Sequence, residues 1–103
     1  MARIKRFDLH PYRARVLEAL GLVAQEVTSA RYEGYSALKI IHGCGKIKDE
    51  LPEFLDGMVK AACPGEKFEL FDKQGQTVLA LCPDLAKDPD YGRHNSGITV
   101  VVL

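Results

Sequence analysis

The chain has no tryptophan and only 3 cysteines. Cys44, Cys63 and Cys82 are odd in number and show no C-x-x-C spacing, which excludes a disulfide framework and leaves reduced thiols that behave as small hydrophobes. No apolar run approaches the ~20 residues of a membrane-spanning helix. The start, Met1-Ala2-Arg3-Ile4-Lys5-Arg6, is basic but runs into charged residues and His10 without an apolar h-region, so no signal peptide is expected either. The expected compartment is therefore the cytosol, with no membrane partner. Net charge is also absent, 14 Lys/Arg being offset by 14 Asp/Glu. There is no internal repeat, no low-complexity segment and no His-x-x-x-His pair. A Walker loop is excluded because Ile47 follows Lys46 and the upstream glycine spacing is missing.

What is present is the composition of a globular protein, 47% apolar and 27% charged over 103 residues. That length is one domain, residues 1–103, able to bury a core without covalent props. The neutral total hides an asymmetry: residues 1–48 hold nine Lys/Arg against four Asp/Glu, and residues 49–103 hold five against ten. The N-terminal half can therefore present a basic face.

Ile4 to Leu9 reads as a first strand. From Pro11, apolar residues at Val16, Leu20, Val23, Val27 and Ala30 mark an amphipathic helix ending near Arg31, with a turn at Glu33-Gly34-Tyr35. Ala37 to His42 is the second strand. A second helix, beginning near Lys48 or Asp49 to accommodate Pro52, carries Ile47, Leu51, Phe54, Leu55, Met58 and Val59 and stops at Cys63-Pro64-Gly65. Phe68 to Phe71 and Thr77 to Leu81 flank a polar stretch and predict a hairpin, and residues 83–96 predict a mobile loop. Ile98 to Leu103 reads as a final strand buried on both faces. The predicted order is β-α-β-α-β-β-β, an α/β two-layer sandwich with both helices on one side or one on each.

Two motifs carry chemistry. Asp8-Leu9-His10 and His42-Gly43-Cys44-Gly45-Lys46 each follow a strand and precede a helix, so in neighbouring parallel strands both open at the sheet edge where α/β folds place their sites. Gly43 and Gly45 let a backbone approach a ligand, the following helix N-terminus favours an anion, and Lys46 and Lys48 add charge suited to phosphate. Asp8 is placed to orient His10. Either His10 or His42 serves as a general base toward water while the other imidazole protonates or neutralises the leaving oxygen. A divalent cation held by Asp8, His10 and His42 is a weaker use of the same residues. Cys44, beside a helix N-terminus, opens a rival reading as a nucleophile or redox-sensitive thiol, whereas His94 reads as a solvated histidine.

The chain resembles the Smr family, the small MutS-related domains. The match is carried by Asp8-Leu9-His10, where the family has D-L-H-G; by Ile40-Ile41-His42-Gly43-Cys44-Gly45, where it has I-I-H-G-x-G; and by Gly97 to Leu103, close to its terminal G-x-T-x-V-x-L strand. Pro11 stands in place of a family glycine, Cys44 in place of a frequent basic residue, Asn95 and Ser96 in place of glycines, and the segment from Gln74 to Asn95 is longer than usual. The resemblance implies a two-layer fold like the C-terminal domain of the third bacterial translation initiation factor. It also implies DNA or RNA as the partner, nicking endonuclease or ribonuclease activity with a place in DNA repair, and Asp8, His10 and His42 as the functional residues. Nucleic acid would then be held through Lys5, Arg6, Arg13, Arg15, Gly43, Gly45, Lys46 and Lys48. The alternatives are a non-catalytic nucleic-acid or ribosome-binding module and a thiol-based regulatory protein centred on Cys44.

Overall fold

The computed structural model describes residues 3–103. Its elements are β1 (Ile4–Asp8), α1 (Val16–Tyr32), β2 (Ala37–Ile41), α2 (Lys46–Leu55), β3 (Ala61–Pro64), α3 (Lys73–Leu81) and β4 (Ile98–Val102), with short 3-10 turns at His10–Tyr12, Gly65–Lys67 and Pro83–Lys87. The strands form one mixed sheet in the order β1-β2-β4-β3, in which β1 and β2 are parallel and β4 runs antiparallel to both of its neighbours. The fold is α/β. No helix among the described residues is long and apolar enough to cross a membrane.

The periodicity of α1 decides which face it buries. Ala19, Leu20, Val23, Val27 and Ala30 are buried and pack with Leu51 and Leu55 of α2 against Leu38, Ile40 and Val101 of the sheet. The opposite sheet face is also covered. Ala37, Cys63, Ile98, Val100 and Val102 meet Phe68, Val78, Cys82 and Leu85, which come from α3 and its flanking turns. The sheet thus has helical layers on both sides, three layers in place of the expected two, and every residue of β4 is buried.

The order β-α-β-α-β-α-β corrects the expected hairpin. Residues 73–81 are helical because Asp72 caps them, its carboxylate accepting the Gln74 N–H at 2.8 Å, a favoured N-cap arrangement. Gly75, Val78 and Cys82 then fall on one buried stripe at helical spacing. The extra strand β3 falls where the second helix was expected to continue. α2 starts earlier, at Lys46, and ends at Leu55, because Gly57 takes φ +80 and turns the chain. The first helix begins at Val16 and not at Pro11, which belongs to the 3-10 turn before it.

Residues 83–96, expected to be mobile, are packed. Leu85 is buried, the Tyr91 ring meets Phe68 edge-on at 5.2 Å, and Gly92 N–H donates to Phe68 O. Asp88 and Asp90 accept hydrogen bonds from Lys39 Nζ at 3.1 and 2.7 Å. Burial alone would push the Lys39 ammonium down, but the hydrogen bonds it donates to Asp90 and Asp88 outweigh it and hold it above its ordinary value.

Two helical glycines separate conformational cost from close approach. A β-carbon on Gly21 of α1 meets nothing within 4 Å, whereas one on Gly75 of α3 would lie 2.4 Å from Glu69 O and 2.6 Å from Lys67 O. Gly21→Ala should therefore stabilise the fold by about 1 kcal/mol through helix propensity, while Gly75→Ala should destabilise it by about 1–3 kcal/mol through overpacking against fixed backbone. Urea unfolding of both variants checks the opposite signs.

Candidate functional site

The parallel pairing of β1 with β2 puts Asp8 in register with Ile41, so both strand-to-helix turns leave the sheet at one edge. β4 starts there too, with Ile98 opposite Ile41. The turn after β2 is fixed by β4: Gly97 O accepts the N–H groups of His42 at 2.9 Å and Gly43 at 3.0 Å. Gly43 N–H is thereby used inside the chain. The N–H groups left for an anion at this edge are those at the start of α2, ahead of its intrahelical bonds.

Asp8 and His10 form a dyad. Asp8 Oδ1 accepts the His10 backbone N–H at 2.9 Å and lies 2.8 Å from His10 Nδ1. These bonds, the backbone one first, hold the Asp8 carboxyl below its ordinary value. A carboxylate can only accept, so Nδ1 carries a proton, and in the neutral form of the ring the lone pair is on Nε2. That nitrogen faces the second turn: a β-carbon on Gly43 would lie 3.2 Å from it. Gly43 has φ +79, so both its backbone angle and the nearness of the ring require a residue without a side chain. The His10 side chain is 59% exposed, and among the described residues Nε2 takes no hydrogen bond.

His42 is differently placed. It is 7% exposed, its Nδ1 donates to Gly43 O, and its Nε2 accepts the Thr99 hydroxyl at 2.8 Å. Burial lowers its pKa below the usual 6.5 against the opposing effect of the bonds to Gly43 and Ile98. Both ring nitrogens are engaged within the protein, and the ring buttresses the Gly43 turn from beneath. Asp8 and His10 are brought together with Gly43, therefore, while His42 reaches the same turn from the buried side. No cluster of three His, Cys, Asp or Glu side chains suited to a metal occurs among the described residues. With the nitrogens of His42 turned onto Gly43 and Thr99, these donors do not fit a divalent cation shared with Asp8 and His10.

The basic residues divide in the same way. Lys5 lies on β1, paired with Glu26 of α1 at 2.6 Å and with Glu33 at 3.0 Å, and Lys48 pairs with Glu66 at 3.3 Å. Arg6, Arg13, Arg15 and Lys46 are exposed. Gly45 is the N-cap of α2. Cys44 is exposed, its Sγ 3.1 Å from Ser96 Oγ, while burial pushes the Cys63 thiol up to about 12 and raises Cys82 as well. His94 is exposed with Nδ1 near Glu66 O at 3.2 Å.

Sequence reasoning missed the residues that hold the turn from behind. Asn95 Nδ2 donates to Asp90, and Asn95 Oδ1 accepts Gly97 N–H at 2.9 Å. The signals were Thr99, a polar residue in an otherwise apolar strand, and Lys39, a charge in the middle of a buried one.

The lowered pKa of His42 has a sign that can be tested. A histidine whose folded-state value lies below the unfolded one makes its full contribution above about pH 6.5, and that contribution is lost as pH falls through the window between the two values, at up to about 1.4 kcal/mol per pH unit. Unfolding midpoints should fall between pH 7.5 and 5.5 in the parent chain and change less in His42→Gln. An equal fall in both would show that His42 does not titrate as its burial requires.

Comparison with protein-family models, with curated proteins and with solved structures finds no match for the chain, so any functional reading rests on the chemistry of the Asp8–His10 dyad and the turn beside it.

Proposed function

We propose that the chain is an Smr-like domain that binds DNA or RNA and hydrolyses a phosphodiester at the edge formed by Asp8, His10 and the 43–46 turn. The observation that carries this reading is the exposed His10 ring, fixed by Asp8 through Nδ1 and with Nε2 directed at a glycine turn that leads into a helix N-terminus. Proton-accepting capacity and anion-binding capacity meet there. In the same reading the β1, β2 and β4 core corresponds to a fold like the C-terminal domain of the third bacterial initiation factor, and α3 with the 83–96 segment is an addition on the far face.

The chemistry follows from the positions. A phosphate at the start of α2 is held by backbone N–H groups and Lys46. His10 Nε2 takes a proton from water as its oxygen bonds to phosphorus. The bond from phosphorus to the leaving oxygen breaks, and that oxygen is protonated from solvent or from the imidazolium. Asp8 keeps the ring in its tautomer and offsets the charge it gains. His42 moves no proton in this scheme; it fixes the carbonyl of Gly43 and with it the turn. Arg6, Arg13, Arg15 and Lys46 contact neighbouring phosphates.

Single-turnover cleavage of structured RNA and branched DNA tests the proposal. His10→Ala should slow cleavage about 10²- to 10⁴-fold while affinity stays within a few-fold, and Asp8→Asn should give a smaller loss. Affinity should fall with salt at a log-log slope of roughly 0.9 per duplex phosphate contact, and each of Arg13→Ala and Arg15→Ala should reduce that slope. Cleavage by His10→Ala at the parent rate would overturn the assignment of His10, and absence of cleavage on every substrate with salt-dependent binding intact would leave a binding module.

A further inference from the structure

We propose that the groove beside Tyr12, on the outer side of α1, is a nucleobase subsite that holds one unstacked base of a single strand next to the phosphate at His10. The inference rests on the nucleic-acid reading above and names the form of the ligand: single-stranded, with a base free to leave its stack.

The groove is about 450 Å³, open to solvent and shallow, and is lined by Tyr12, Ala14, Glu18, Gly21, Leu22 and Gln25; it offers one face to a planar ring and does not enclose it. Its wall is an aromatic ring held in place. Tyr12 is 54% exposed, yet its ring packs on Phe7 at 5.8 Å between centroids. Its backbone is fixed by the 3-10 turn through Tyr12 N–H to Leu9 O and Arg13 N–H to His10 O. Exposed aromatics of this kind are the platforms on which single-stranded bases stack.

The floor is open because residue 21 is glycine. That glycine weakens α1, and nothing within 4 Å of its missing β-carbon requires it. The fold gives no reason for it, whereas the groove does: a larger side chain there would fill the space beside Tyr12. At the rim Glu18 offers a carboxylate to exocyclic amino groups, and Gln25 offers both a donor and an acceptor to a base edge. Ala14 and Leu22 supply apolar contact.

Position and charge link the groove to the proposed reaction. Tyr12 is two residues from His10, in the same turn. Arg13, held at φ +48, and Arg15 are exposed just beyond it. A strand whose base lies on Tyr12 thus has exposed guanidiniums and an imidazole within three residues along the chain to meet its phosphates. Bases stacked within a duplex present no free face to Tyr12, so the groove favours single strands and loops.

The test combines nitrogen-15 spectra of the full chain, titrated with adenosine 5′-monophosphate and with a single-stranded adenine hexanucleotide, with affinities of two surface variants. The amides of Gly21, Leu22 and Gln25 should shift with both ligands. Tyr12→Ala should weaken hexanucleotide binding roughly 5- to 150-fold, the range expected for one stacked base, with duplex affinity within twofold. Gly21→Leu should weaken hexanucleotide binding in the same way while raising the unfolding midpoint, which separates a filled groove from a damaged fold. Shifts confined to residues 43–46, or unchanged hexanucleotide affinity in both variants, would overturn the subsite. Groove shifts without cleavage of any substrate would support the subsite and count against the hydrolytic reading. Cleavage lost in His10→Ala but unaffected by filling the groove would do the reverse.

Discussion

One ammonium group, Lys39 Nζ, is the constraint on which the far side of the molecule and the rear of the site depend. It stands on the central part of β2 facing the second core, where an unpaired charge would be costly, and it takes Asp88 and Asp90 as partners. Those carboxylates draw residues 83–96 across the sheet. From Asp90 the bonds continue through the Asn95 carboxamide to Gly97 N–H, and from Gly97 O to the N–H groups of His42 and Gly43. The turn after β2 is thus tied back to a residue of β2 itself by way of a segment some fifty positions later in the chain.

This dependence explains what the sequence disclosed and what it concealed. The strands β1, β2 and β4 and the helix α1 were legible because their burial follows a short local period, and the convergence of Asp8, His10 and Gly43 followed from two parallel strands with similar endings. β3 and α3 were not legible by the same means. β3 is four residues long at the sheet edge, and its apolar residues continue the pattern of the preceding helix. α3 presents Gly75 and Gln76 where a hairpin loop would, and only the Asp72 cap distinguishes the two. The packing of residues 83–96 depends on Lys39, a pairing across a separation that no local pattern reports.

The two histidines at the edge show how environment divides one side-chain type into two roles. His10 and His42 flank the same glycine, and from sequence the two-glycine motif that holds His42 reads as the stronger of the two. Burial reverses that ranking. His42, enclosed by Thr99, Ile98 and Gly43, has both nitrogens occupied and its charged form disfavoured. A ring in that state is a rigid strut. His10 has one nitrogen held by Asp8 and no hydrogen bond to the other among the described residues, on a ring that is exposed, which is the arrangement a proton acceptor needs. The residue closer to the glycine motif in sequence is therefore the structural one.

The strut and the acceptor depend on each other through Gly43. Its positive φ aims the carbonyl inward to His42 Nδ1 and leaves the α-carbon face toward His10. A side chain there would strain the backbone and meet His10 Nε2 at once. Gly97 holds the same residue from the other side, with its nitrogen fixed by Asn95 and its carbonyl shared by two N–H groups. The site edge is thus held on its buried side by the bonds that run from Lys39 through Asn95 and Gly97 to His42, while His10, Tyr12, Arg13 and Arg15 are exposed. In the proposed reading a phosphate-linked chain, unlike an isolated anion, would use the N–H groups at the start of α2, the His10 imidazole, the Tyr12 ring and the exposed Arg13 and Arg15 guanidiniums together.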